Sequence, residues 1–372
     1  MSLEQINDHP VVDDHILPVM AGLIEPQAIN RQPNGTIVVR GRLLTSAERV
    51  YRPLRARFET LGYTPFIRPH ADGVELIAAP GVIERQPLRW RLNLVLFIAT
   101  VLSVLLIGAL NEIGAAGLEL SAVLRDPRLL GLGIPFTATV IGILATHEMG
   151  HYVVSRLRGA PASLPYFIPM PLSLTGTMGA VIVQREPFED RRTLLEVAVA
   201  GPLAGLAVAI PLLFYGLATS TVAPAPDGPY YLEGNSLLYA AAKYLVFGQW
   251  LPNGRVDVQL NPVAWGAWIG LLVTMFNLLP AGQLDGGHIA YALFGKRAEW
   301  LAYAIMLLCL GLGLTGATTW LIWVLLIGLM GPRHPPPFND LVKLRPAHIV
   351  LGVVGLITFV LLFMPEPLRL IQ

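Results

Sequence analysis

Apolar residues are distributed in two different ways along this chain, and the change comes near residue 88. Before it, they alternate or recur over short stretches punctuated by proline, glycine and charge. Thr36–Leu43 alternates in the manner of a half-buried strand, and two further strands are predicted at Tyr63–Arg68 and Val74–Ala78 around a turn at Ala71-Asp72-Gly73. Between them the pattern predicts a helix from Ala47 to Leu61, with Ser46 as N-cap, Glu48 in the first turn and Gly62 as the stop. Residues 1–88 therefore read as a small soluble α+β domain built as a β-α-β-β unit.

After residue 88 come six uncharged runs, at 92–111, 129–146, 197–226, 258–284, 300–332 and 346–365. At about 1.5 Å per helical residue each can cross roughly 30 Å of hydrocarbon, alone or with a few flanking residues. The run 300–332 would be about 50 Å long as one helix, too long for one crossing, and Gly311, Gly313 and Gly316 lie near its middle. Splitting it predicts an all-α polytopic membrane domain over 89–372 with about seven spans, near 92–111, 133–155, 193–219, 261–281, 299–313, 317–331 and 347–364. Five basic clusters then fall on one side: Arg85/Arg89/Arg91, Arg156/Arg158, Arg185/Arg191/Arg192, Lys296/Arg297 and Arg333/Lys343/Arg345. The positive-inside rule makes that side cytoplasmic, together with the N-terminal domain, and puts the C-terminus outside.

Composition agrees: 54% hydrophobic and 14% charged residues lie outside the range of a soluble globular chain. The net charge of +1 gives no reason to expect nucleic acid as a partner. One cysteine, Cys309, permits neither an intrachain disulfide nor a cysteine-based zinc site. The first 30 residues lack the layout of a cleaved signal, so the first span is expected to serve as the targeting signal. No transit peptide is evident, which favours a bacterial plasma membrane.

The chemistry is concentrated at His147-Glu148-Met149-Gly150-His151, which closes a stretch with no charge from Leu129 to Thr146. Histidines four apart on a helix project from one face and can share a Zn²⁺, and the glutamate between them can reach the water that the ion activates. Ionisable groups at that depth are costly unless they pair, bind metal or line a wet cavity. A catalytic zinc takes three protein ligands. Asp285, the only carboxylate between Asp257 and Glu299, is flanked by helix-breaking Pro280, Gly282, Gly286 and Gly287. Taken alone it is equally an exposed aspartate in a cytoplasmic turn. His9, His15 and His70 have no partner at ligand spacing and read as surface residues, and His288 as a neighbour of the site or an exposed side chain.

His147-Glu148-Met149-Gly150-His151 in one span, with Asn277-Leu278-Leu279-Pro280 and Leu284-Asp285-Gly286-Gly287 in a later one, resembles the site-2 protease family of intramembrane zinc metalloproteases. The likeness covers roughly residues 90–335 and is nearest to the bacterial and plastid branch without a PDZ domain. It implies one Zn²⁺ per chain held by His147, His151 and Asp285, with Glu148 as general acid/base. It also implies a zinc endopeptidase that cuts membrane-anchored substrates within or near their spans, in regulated intramembrane proteolysis. The segment near 164–184, rich in proline, glycine and apolar residues, reads as a re-entrant hairpin or as a plain interfacial loop. The stretch from Gly176 to Val183 resembles the family's substrate-presenting edge, with Gly176, Thr177 and Gly179 as candidate substrate-binding residues. Asn277 is a candidate for hydrogen-bonding the substrate, or for a contact between helices. The expected partners are a membrane-spanning protein substrate, the lipid bilayer and a cytoplasmic partner of the N-terminal domain. A divalent-metal transporter and a non-proteolytic membrane scaffold are the competing readings.

Overall fold

The computed structural model describes residues 15–83, 90–118, 121–224 and 230–371. His9, Arg85 and Arg89 lie outside the described residues. The chain divides into two compact units.

The first unit is built on strands β1 (Ile24–Arg31), β2 (Ile37–Leu43), β3 (Tyr63–His70) and β4 (Gly73–Pro80), with helix α1 (Ala47–Glu59) between β2 and β3. All neighbouring pairs are antiparallel, in the order β1-β2-β4-β3, so β2 and β3 run the same way with β4 between them: a split β-α-β arrangement. Helix α1 buries Val50, Tyr51, Leu54 and Phe58 against Ile37, Val39, Ile67, Leu76 and Ala78. Strand β1 adds to the predicted β-α-β-β pattern. Its sequence Ile-Glu-Pro-Gln-Ala-Ile-Asn-Arg buries only Ile24, because it is an edge strand with a bulge between Pro26 and Ala28, and its alternation is correspondingly weak. Ser46 stands at the N-cap of α1 in extended conformation, but its side chain makes no capping hydrogen bond.

Two short later segments, 186–194 and 335–344, belong to the same unit. The Ile67 amide donates to Phe338 O (2.8 Å) and the Asp340 amide to Ile67 O (3.0 Å), while Phe338 and Asn339 donate in turn to Phe188 O (2.9 Å) and Glu189 O (2.8 Å). The sheet is thus continued past β3 by two parallel stretches. Phe338 fills the core, stacked on Tyr51 at 5.4 Å, with Phe66 at 5.2 Å and the Arg55 guanidinium 5.1 Å over its ring. Arg55 pairs with Glu59 and Glu186, each at 2.6 Å, and Arg191 with Asp340 at 2.6 Å. Burial pushes the Tyr51 phenol well above its ordinary pKa, against the opposing pull of Arg55.

The second unit is helical: α2 (Trp90–Ala115), α3 (Ile134–Leu157), α4 (Arg191–Ala218), α5 (Leu237–Phe247), α6 (Pro262–Asn277), α7 (Asp285–Phe294), α8 (Ala298–Leu314), α9 (Thr319–Met330) and α10 (Pro346–Leu362). Strands β5 (Tyr166–Pro169) and β6 (Thr177–Val181) pair as an antiparallel hairpin, and β7 (Thr221–Pro224) and β8 (Tyr230–Glu233) pair with β9 (Val256–Gln259) and β10 (Leu368–Ile371). Among the described residues, four helical stretches, Trp90–Ala115, Pro127–Leu157, Arg191–Ala218 and Asp285–Leu314, are long and apolar enough to cross a membrane; α5, α6, α9 and α10 are shorter apolar helices. Side chains such as Leu102, Leu307, Leu329 and Val360 are more than half exposed on these helices, a surface that only lipid would cover. The chain is a multi-pass membrane protein.

Between lipid-soluble helices there is little hydrophobic drive to associate, so close packing through small residues carries the contact. A Cβ on Gly133 would stand 2.3 Å from Leu105 O, one on Gly266 3.0 Å from Thr139, one on Gly270 2.6 Å from Ile143, and one on Gly216 2.5 Å from Ala264 N. These contacts join α2 to α3, α3 to α6 and α4 to α6.

The sequence alone extended the span after residue 261 to 281, whereas α6 ends at Asn277, and a further helix, α7, starts at Asp285. Pro280 and Gly282, the latter at φ +58°, turn the chain between them. The backbone groups released at this break are largely satisfied locally, by Leu278 N to Thr274 O (3.0 Å), Ala281 N to Leu279 O (2.8 Å) and His288 N to Leu284 O (2.9 Å).

Candidate metal centre

Helix α3 presents His147 and His151 one turn apart, with their rings 4.9 Å apart, and the break before α7 delivers Asp285 as its first helical residue. Nε2 of His147 and Nε2 of His151 are 3.2 Å apart; Asp285 Oδ2 is 3.4 Å from the first and 3.2 Å from the second. Both histidines and Glu148 are buried, each no more than 5% exposed. His151 Nδ1 lies 2.8 Å from the carbonyl of Val197 on α4. A carbonyl only accepts, so the proton sits on Nδ1 and the Nε2 lone pair points at Asp285. Two acceptors 3.2 Å apart repel each other unless a cation lies between them.

Tetrahedral ligands at about 2.0–2.1 Å from zinc have mutual separations of about 3.3–3.4 Å. The three atoms are spaced accordingly, and His147, His151 and Asp285 form the metal-competent group found among the described residues. The donor set fits zinc chemically as well, with two imidazoles and one carboxylate.

Asn277, at the end of α6, places Nδ2 3.2 Å from His147 Nε2, at the rim of the same group. The backbone amide of Ile182, just past β6, faces the Glu148 carboxylate. Gly176, Thr177 and Gly179 lie at the start of β6, away from Ile182. Gly176, at φ +75°, packs so closely on α2 that a Cβ would be 2.6 Å from Val104 Cα, and its carbonyl accepts from Ser103 Oγ at 2.6 Å. The Thr177 hydroxyl donates to Ile168 O (2.9 Å) and accepts from Gly179 N (3.0 Å). These three residues shape the hairpin. Asn93 fixes the hairpin's other end through Leu164 O and Pro165 O, both at 2.9 Å. His288 is half-buried, with Nδ1 2.5 Å from His334 Nε2, while the His334 ring stacks on Tyr291.

Sequence reasoning missed the wall behind the ligands. A Cβ on Gly201 of α4 would stand 2.1 Å from His151 Nε2, one on Gly205 3.1 Å from His147 Cβ, and one on Gly150 2.6 Å from Ala200 O. Only glycine lets α3 and α4 approach there. The signal was present as Gly201-Pro202-Leu203-Ala204-Gly205, a small-residue spacing inside a run valued only for its apolarity.

Residues 135–312 match the sequence family described as Peptidase family M50. Among curated proteins, the chain is 30% identical over 291 residues to the probable zinc metalloprotease EGY1, chloroplastic, of Arabidopsis thaliana, covering 73% of this chain and 52% of that one. It is 32% identical over 243 residues to the probable zinc metalloprotease EGY2, chloroplastic, of Oryza sativa subsp. japonica (63% and 42%). It is 26% identical over 245 residues to the probable zinc metallopeptidase EGY3, chloroplastic, of Arabidopsis thaliana (62% and 42%). The chain spans about half the length of the curated relatives it matches. No solved structure matches.

Proposed function

We propose that this chain, whose residues 135–312 match peptidase family M50, is a member of that family and an intramembrane zinc endopeptidase acting on membrane-anchored protein substrates. The observation that carries the reading is the trio of His147, His151 and Asp285 at tetrahedral spacing, both histidines buried and Asp285 half-buried, with a non-ligand carboxylate, Glu148, beside it. Metal transport, the competing use of such a trio, leaves Glu148 without a role.

A zinc ion held by these three residues supplies Lewis acidity toward water and toward the scissile carbonyl. Glu148 accepts a proton from the attacking water as its oxygen bonds to the carbonyl carbon, and returns it to the nitrogen as the C–N bond breaks. Asn277, at the rim, hydrogen-bonds the carbonyl oxygen or the substrate backbone. Strand β6 lends its open edge to an unwound substrate segment, and the amide of Ile182 brings the end of that edge to Glu148.

In this reading the chain crosses the membrane seven times, with the 164–184 hairpin re-entrant, and the N-terminal domain faces the cytoplasm of a bacterial cell, where it meets a partner. The support is the one-sided placement of the basic clusters. The named relatives are chloroplastic, a location printed for those proteins.

The test is zinc content and cleavage of a generic single-span substrate by the purified full chain. About one zinc per chain in wild type and in Glu148→Gln, lost in Asp285→Ala, with cleavage in wild type alone, is the expected pattern. Undiminished cleavage by Glu148→Gln refutes the mechanism.

A further inference from the structure

A cavity of about 320 Å³ opens between the C-terminal end of α2, the start of α6 and the β8 and β9 segments. Phe136 on α3 and Trp265 on α6 line it; Glu148 and Asn277 each come twelve residues later on the same helices. At 1.5 Å per residue both helices put it about 18 Å from the metal-binding group. Leu174, at the turn of the β5–β6 hairpin, also lines it, so the hairpin runs from the cavity to Glu148.

Three carboxylates face this space: Glu112, Glu233 and Asp257. Lys243, fully buried on α5, approaches from behind, its Nζ 3.7 Å from Glu233 and 3.6 Å from Asp257. Among the described residues no acceptor lies within hydrogen-bonding reach of that ammonium, so it offsets one negative charge without closing either carboxylate off. Glu233 is further held by the Tyr239 hydroxyl at 3.0 Å. Glu112 has no cation within ion-pairing reach among the described residues. The cavity therefore sets three carboxylates against one ammonium, a formal excess of negative charge, with burial pushing the Glu233 carboxyl up, beside the aromatic faces of Trp265 and Tyr231.

We propose that this cavity is an exosite that selects substrates carrying a lysine or arginine flank on the side of the span remote from the scissile bond. The inference rests on the proteolytic reading and adds the substrate class. An ammonium or guanidinium entering there meets the Glu112 carboxylate and aromatic faces, a combination that favours cations. The register follows from the 18 Å separation. At about 3.3 Å per residue for an extended segment the basic residue lies five or six positions from the cleaved bond, and about twelve if the intervening segment stays helical.

Binding of three single-span peptides to the full-length Glu148→Gln protein, in vesicles of neutral phosphatidylcholine, tests this. The peptides differ only in carrying a Lys, Gln or Glu pair at the remote flank. Tighter binding of the Lys peptide than the Glu peptide, on the order of tenfold, is expected. Glu112→Lys should invert the order, and Glu112→Gln should shrink the difference while zinc stays at one per chain. Equal binding of all three peptides, or a Lys preference that survives Glu112→Lys, overturns the exosite. So does a flank effect that vanishes on adding phosphatidylethanolamine, because the cavity would then hold a lipid amine. If wild type cleaves none of the peptides, proteolysis is refuted, while the binding comparison still reports on the cavity.

Discussion

Gly201→Ala isolates the role of the wall behind the ligands. The new Cβ would lie 2.1 Å from His151 Nε2 and 2.3 Å from its Cδ2, whereas ordinary contact begins at about 3.4 Å. The shortfall is about 1.3 Å, and the ring cannot simply rotate away, because Nδ1 is tied to Val197 O at 2.8 Å. Metal–ligand distances tolerate about 0.2 Å, so displacement by even half the shortfall removes His151 as a ligand. Overpacking alone costs about 1–3 kcal/mol, and losing one of three ligands should weaken zinc binding by at least about a hundredfold, or roughly 2.7 kcal/mol. Gly205→Ala, whose Cβ would sit 3.1 Å from His147 Cβ, asks for a shift of only a few tenths of an ångström and should keep its zinc. Gly142→Ala, with open space around its Cβ, is the control for helix propensity. The assay is zinc affinity by chelator competition on the detergent-purified full chain. Wild-type affinity in Gly201→Ala would refute the claim that the glycine sets the position of His151.

Other consequences can be checked separately. Gly176→Ala combines a left-handed φ of +75° with a Cβ 2.6 Å from Val104 Cα, and should lower kcat/KM at least tenfold with zinc content unchanged, read by kinetics beside metal analysis. Phe338→Ala empties the core of the first unit and should destabilise it by about 3 kcal/mol, seen as a lowered melting transition in a chain that still holds zinc. Removing the metal with a chelator should abolish cleavage. Zinc restored at about a thousand times its Kd should raise stability by about 4 kcal/mol and bring activity back, as followed by thermal unfolding and product formation.

Local signals were the legible ones. A run of apolar residues and a His-Glu-x-x-His spacing each act within a few turns, so His147, Glu148 and His151 could be named before any contact was known, whereas Asp285, beside its proline-glycine break, was singled out through the family resemblance. What stayed hidden was set by partners distant in the chain. Strand β1 is half-exposed and gains its conformation from β2, so its own alternation is faint. The function of Gly201 exists only because α4 lies against His151, and Phe338, which follows three prolines, gains its core position only where β3 lies beside it. Helix α7 was concealed by the two glycines at its start. They are required because a Cβ at 286 would be 2.0 Å from Leu278 O and one at 287 would be 2.4 Å from Gly282 O.

The two late segments in the first unit also bear on how the protein is made. Residues 15–83 leave the ribosome before the second unit, yet their sheet lacks its outer stretches and their core lacks Phe338 until residue 344 has been synthesised. At roughly 5–20 residues per second, that is a delay of about 13–50 s, during which α2 to α9 are translated. The nascent domain waits with an open strand edge and a vacant aromatic slot, so its completion reports that nearly all of the second unit's helices have already been synthesised.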